Sequence, residues 1–208
     1  MPRETIYLPQ RGLDHIVPAV QNLDHAAQVW QSLGFTMTPR AMHAWGTSNR
    51  LIQLDRFFVE VLEVASPEKL IPPSPRNFSF GSYLADYLKR REGIAMTVFE
   101  SQDATEDRDQ FAERGLPDLE PFYFERQQTL PDGEQKTVAF SLAFAPPEAS
   151  PDAVFFTCQQ HAPQLFWKPQ YQTHANTAYA VDEVTMVAAD PAAYAPVLEQ
   201  LQVPEAVS

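Results

Sequence analysis

Apolar and polar residues follow two rhythms along this chain, and the rhythms take turns. Leu13–Phe35 (LDHIVPAVQNLDHAAQVWQSLGF) opens with an apolar-rich stretch and breaks on polar residues. It continues with Ala26, Val29, Trp30 and Leu33 at i, i+3, i+4 and i+7, the spacing of one helical face. Asp24 stands where a carboxylate helps satisfy free N–H groups, and Gly34 supplies a stop. The pattern predicts a strand followed by an amphipathic helix. It returns at Ile94–Leu116, where Gly115 closes the helix, and at Val181–Leu201, where Pro191 suits a first helical turn. The copies start about 80–90 residues apart, an internal repeat.

Between copies the rhythm is that of strands. After the first helix, strands are predicted at Phe35–Thr38, Asn49–Leu54 and Phe57–Val64, with Asp55-Arg56 as a tight hairpin. After the second, they are predicted at Pro121–Thr129, Gln135–Phe144 and Ala153–Gln160, the first two flanking the turn signal Leu130-Pro131-Asp132-Gly133. The first two copies therefore read β-α-β-β-β. The Pro-rich stretch Pro67–Pro75 leads into a connector helix carrying Phe80, Tyr83, Leu84 and Tyr87. The expected fold is α+β, with tandem βαβββ modules and an extra C-terminal βα unit. Its parts are module one at about 12–66, the connector at about 67–92, module two at about 93–161 and the C-terminal unit at about 180–202, all in one domain.

Composition narrows the function classes. Of 208 residues, 44% are hydrophobic, enough for a substantial core, and the net charge is −12. The largest basic cluster is Lys89-Arg90-Arg91, too small a footprint for a phosphate backbone, so no nucleic-acid partner is expected. One cysteine excludes an internal disulfide framework, and no signal peptide or membrane-length apolar run is visible, so the expectation is a cytoplasmic protein with no membrane partner.

The repeat and its residues resemble the vicinal oxygen chelate superfamily, which includes glyoxalase I, extradiol dioxygenases, and fosfomycin- and bleomycin-resistance proteins. The detailed similarity is to its glyoxalase-like branch. It is carried by Leu13-Asp14-His15, Leu33-Gly34-Phe35, the segment His43–Arg50 (HAWGTSNR), Phe58-Val59-Glu60-Val61, and Phe155–Gln159 with Trp167. The resemblance implies a curved mixed sheet forming a cup around a divalent metal (zinc, nickel, manganese or iron), no nucleotide cofactor, a small-molecule ligand and a homodimer. A fold of this kind implies a site without fixing its chemistry.

By the resemblance, His15 and Glu60 stand where the family places its first-strand and fourth-strand ligands, with Glu60 also the catalytic carboxylate. Strand alternation puts His15 on one face with Leu13, Val17 and Ala19, and Glu60 with Phe58, Leu62 and Val64. The plainer alternatives are a His15 bonded to a backbone carbonyl and a Glu60 paired with Arg50 or Arg126. In the second module the pattern fails. Its first strand has no histidine near Ala95, and around Cys158 there is no carboxylate, only Thr157, Cys158, Gln159 and Gln160, with His161 facing the other way. Cys158 and Gln160 are therefore read as pocket groups, with His43, Thr47, Asn49 and Arg126 as substrate-binding candidates. Glu183 holds the place in the third copy that His15 holds in the first. Phe166, Trp167, Tyr171 and His174 form an aromatic group suited to a lid, the core or a dimer contact. Three functions compete: a metal-dependent lyase or isomerase, a non-enzymatic drug-sequestering protein, and, disfavoured by the missing histidine, a ring-cleaving dioxygenase.

Overall fold

The computed structural model describes residues 11–129, 133–147 and 152–201. Eight strands form one strongly curled sheet in the order β2-β3-β4-β1-β5-β8-β7-β6. They are β1 Leu13–Ala19, β2 Ala41–Met42, β3 Thr47–Gln53, β4 Phe58–Val64, β5 Gly93–Glu100, β6 Phe122–Thr129, β7 Gln135–Ala145 and β8 Val154–Gln160. The order is two copies of one four-strand unit. In each, the first strand runs parallel to the last, β1 with β4 and β5 with β8, and the units meet at the antiparallel β1–β5 seam.

The helices repeat the same logic. Asn22 caps α1 (Leu23–Ser32) by accepting from the His25 N–H, and Asp103 caps α3 (Ala104–Glu113) by accepting from the Thr105 and Glu106 N–H groups. Asn22 takes the role expected of Asp24, which instead pairs with Arg40 and Arg50 in the first turn. The α1 face also turns relative to the expected stripe. Leu23 and Ala27 are buried and Ala26 and Trp30 half-packed, while Val29 and Leu33 are exposed. The connector helix is α2 (Phe80–Leu88), capped by Ser79.

The sheet has two dressed faces. On the concave side one cluster joins both modules, with Val17, Phe58 and Leu62 from the first and Met96, Val98, Phe140 and Phe156 from the second, closed by α2 through Phe80, Leu84 and Tyr87. On the convex side each module has its own cluster. Leu23, Ile52, Phe57, Val59 and Val61 pack beneath α1, and Phe99, Phe111, Ala143 and Phe155 beneath α3.

Two expected strands do not form. Phe35–Thr38 lies beside β3 without a ladder: Thr38 bonds Leu51 through its backbone N–H and, by its hydroxyl, accepts from the Leu51 N–H, and Pro39 then ends any pairing. The third copy keeps only its helical part, a 3-10 turn at Pro191–Tyr194 followed by α5 (Ala195–Gln200). Val181–Asp190 runs without a strand partner among the described residues. It crosses the convex face instead, with Val181 and Val184 on the first module's cluster and Ala188, Tyr194, Val197 and Leu201 on the second's. Glu183 is exposed there, and its carboxylate accepts from the Thr185 hydroxyl, so it neither reaches the concave face nor caps a sheet edge. Leu130–Asp132 of the expected β6–β7 turn lie outside the described residues. Among the described residues no helix is long and apolar enough to cross a membrane.

Candidate functional site

The concave face holds a cavity of about 330 Å³, lined on one side by His15, His43, Asn49 and Glu60 and on the other by Phe124, Phe140, Phe156 and Cys158. A line of polar side chains crosses its floor. Gln160 Nε2 donates to Asp14 Oδ2 at 2.8 Å, and Asp14 Oδ1 lies 2.5 Å from His15 Nδ1. His15 Nε2 faces Glu60 Oε2 at 3.8 Å. Glu60 Oε1 accepts from Asn49 Nδ2 at 2.5 Å, Asn49 Nδ2 lies 3.3 Å from His43 Nε2, and His43 Nδ1 reaches Thr47 Oγ1 at 2.7 Å.

Sequence alternation misses the first member of this line. Asp14 should face away from His15, yet the register slips between Leu13 and His15, so the strand carries a bulge. The bulge sends Leu13 to the convex clusters, not to the His15 face, and brings Asp14 round to the imidazole. The available signal was an acid in an apolar strand, which must find a partner when buried.

The bonding fixes both histidines. A carboxylate can only accept, so Asp14 takes the Nδ1–H of His15, and in the neutral ring this leaves Nε2 as the lone pair facing Glu60. The ring is clamped by Phe58, stacked at 4.1 Å, and by Phe156, edge-on at 5.7 Å. Asn49 must present its NH₂ to Glu60, so its other N–H meets His43 Nε2 and the His43 Nδ1–H goes to Thr47. Burial lowers the proton affinity of His43, with Arg126 adding to the effect and Glu60 opposing it. Burial, then the charges of Asp14 and Glu60, pushes the Cys158 thiol well up, so it stays protonated.

The expected site residues sort by position. His15, His43, Asn49, Glu60, Arg126 and Cys158 line the cavity. Thr47 is fully buried behind His43, and Gln160 acts on Asp14 from beside the lining. Glu60 takes Asn49 as its partner; Arg50 pairs with Asp24, and Arg126 stands beyond ion-pair reach. Of the aromatic group, Phe166 and Tyr171 line the cavity and Trp167 packs on Phe58 at 6.0 Å. His174 is buried elsewhere, held by the Thr36 N–H and the Gln53 carbonyl. Gly46, at φ +91, closes the turn that carries His43: its N–H bonds the His43 carbonyl, and its own carbonyl receives the N–H groups of Ala65 and Ser66.

The second module's counterparts are apolar. Aligning the caps Asn22 and Asp103 places Met96 where the first module has His15, and the parallel registers then place Phe156 opposite Glu60's position. The four-cornered ligand set implied by the resemblance is therefore filled on one side only. On that side the donors suit a divalent cation. An imidazole lone pair and a carboxylate oxygen face each other at 3.8 Å, longer than a hydrogen bond and close to the roughly 3.4 Å between two ligands of one tetrahedral ion with bonds of about 2.1 Å. Asp14 on Nδ1 is the carboxylate that orients such a ligand. Asp14, His15 and Cys158 bring ligand atoms within 4.8 Å of one another, and the buried Gln160 Oε1 has no hydrogen-bond partner.

Comparison with protein families matches residues 13–202 to the glyoxalase-like domain. The chain belongs to the glyoxalase-like domain family. A search of curated proteins gave no match. Among solved structures, this glyoxalase-like protein is similar to a hypothetical protein from Staphylococcus aureus, with 17% identity and a TM-score of 0.56 over 72% of this chain and 58% of that one. It is also similar to methylmalonyl-CoA epimerase from Mycobacterium tuberculosis, with 14% identity and a TM-score of 0.51 over 79% of this chain and 99% of that one. At these identities the likeness shows the fold. The chain spans 58% of the staphylococcal protein's length.

Proposed function

We propose that the cup binds a small oxygen-bearing molecule and isomerises it by moving a proton beside its oxygen, as a lyase or isomerase dependent on a divalent metal. The observation that carries this reading is His15, its Nδ1 bonded to Asp14 and its Nε2 turned across 3.8 Å to Glu60 in the wall of the cavity. His15 Nε2 and Glu60 Oε2 would hold the cation. When bound, it supplies a Lewis acid that polarises a substrate oxygen.

The chain's own groups do the rest. Glu60 takes the proton and returns it. Asn49 holds Oε1, so the carboxylate stays oriented with Oε2 toward His15 and the cavity. Asp14 keeps His15 in the tautomer whose Nε2 is a lone pair. The neutral His43 supports Asn49 and adds no second charge beside Glu60. The phenylalanine walls exclude water, which strengthens these interactions.

The test combines elemental analysis of protein purified without chelators with deuterium wash-in from D₂O, read by NMR on a panel of 2-hydroxy and 2-oxo compounds. Near one ion per chain, lost in Glu60→Gln, together with exchange lost in the same variant, supports the reading. Protein that stays metal-free after reconstitution and catalyses no exchange overturns it. A second reading, a non-enzymatic binding protein, draws on Met96 and Phe156 standing where further ligands would be. Ligand binding indifferent to chelator, without exchange, selects it.

A further inference from the structure

From the cup's rim we infer that the ligand is a small apolar or aromatic carboxylic acid, its carboxylate held between Arg126 of β6 and Lys168 and its body among Trp45, Phe124, Phe140 and Phe166. This deepens the proposed function and rests on the same cavity. The chain carries a net charge of −12, yet two cations converge on this opening. Among the described residues, no carboxylate lies within 4 Å of either charged head, and neither head has a hydrogen-bond partner. The other cation on the lining, Arg40, is spent on Glu63 and Asp24. Glu125, also on the lining, is held by the Tyr123 hydroxyl at 2.5 Å.

The rim is built. Gln53 is buried and uses both ends of its amide on the Lys168 segment, donating to the Phe166 carbonyl at 2.9 Å and accepting from the Lys168 N–H at 3.0 Å. That fixes Lys168 over the opening. Burial and the nearby Arg126 both lower the proton affinity of Lys168. Two cations crowded in this way are relieved by an anion that enters between them. An arginine fork matches a planar carboxylate, with the lysine adding a point charge.

Size and charge set the rest of the class. A cavity of about 330 Å³ lies at the small end of ligand pockets, room for one ring with short substituents and too little for a nucleotide-bearing molecule. The lining also includes Glu60 and Glu125, so a monoanion is accommodated better than a phosphate dianion. A 2-hydroxy or 2-oxo acid satisfies both ends: the carboxylate at the rim, and the neighbouring oxygen directed to the polar floor.

The test titrates the full chain by calorimetry with phenylacetate, mandelate and their neutral amides. Each acid is expected to bind at least about tenfold more tightly than its amide, since hydrogen bonds to charged groups exceed neutral ones by that much. The double variant Arg126→Gln/Lys168→Gln should bring the acids to the level of the amides and leave amide binding within about twofold. Equal binding of acid and amide, a preference that survives in the double variant, or no acid binding at a Kd of about 10 mM or tighter overturns the inference. Deuterium exchange separates it from the reading beneath it. An acid preference without exchange sinks proton transfer alone, and exchange on the neutral amides without an acid preference sinks the carboxylate site alone.

Discussion

The two halves of the cup share an architecture and divide the work. Both offer a first strand parallel to a fourth, a capped helix behind, and side chains turned into one cavity. The first half places His15, Glu60, Asn49 and His43 there; the second answers with Phe156 at the position matching Glu60 and with Phe124 and Phe140 alongside, while Met96, at the position matching His15, is packed in the inner cluster. A duplicated scaffold thus need not duplicate its chemistry. One copy carries both histidines and both carboxylates of the polar line; the other supplies most of the apolar wall, together with Gln160 behind Asp14 and Arg126 at the rim.

The sharpest way to break this division is to alter matching positions and compare. Glu60→Gln should lower proton exchange by at least about 10²–10⁴-fold with the fold intact, since it removes the acid–base group and a ligand of the cation together. Phe156→Leu in the second half should change substrate affinity while leaving the turnover rate within about tenfold, at a cost of roughly 1–3 kcal/mol in unfolding free energy from imperfect repacking. Equal losses of turnover in the two variants would refute this division. A smaller effect sharpens the picture within the polar half. Asp14→Asn should weaken metal binding or turnover by about 10–100-fold, the usual consequence of losing the carboxylate behind a ligating histidine. Competition with a chelating dye reads it.

The smallest effect lies in pH. His43 has a proton affinity lowered by burial, so its contribution to stability is present above its unfolded pKa, near 6.5, and is lost as pH falls toward the lower folded value. A proton on Nε2 would also point at the Asn49 N–H and break the bridge to Glu60. Thermal unfolding followed from pH 7 down to about 5 should show a falling midpoint. His43→Gln should flatten that fall, while a second-half variant such as Phe156→Leu should leave its slope unchanged.

Much of this was legible in the chain. Two βαβββ rhythms and their glycine stops predict the paired modules, and alternation puts Glu60 on the concave face with Phe58 and Leu62, where both line the inner cluster or the cavity. What stayed hidden depends on contacts between distant segments. Asp14 joins His15 through a one-residue slip that a period of two cannot express. Lys168 reaches the opening because Gln53, 115 residues away, grips its backbone. Val181–Asp190 has the composition of a strand, yet it lies on the convex face through Val181, Val184 and Ala188, contacts that its own pattern does not announce.

The segment after β8 has an architectural consequence of its own. A chain cut after Gln160 would retain every strand of the sheet and both capped helices of the repeat. It would nonetheless lose Phe166, Lys168 and Tyr171 from the cavity wall, and with them the traverse over both convex clusters. One side of the brim, Lys168, thus comes from a later stretch of the polypeptide than the vessel, which supplies Arg126 on the other side. Ligand preference can be retuned at Lys168, whose backbone Gln53 holds whatever side chain it carries, while Phe166 stays packed in the inner cluster.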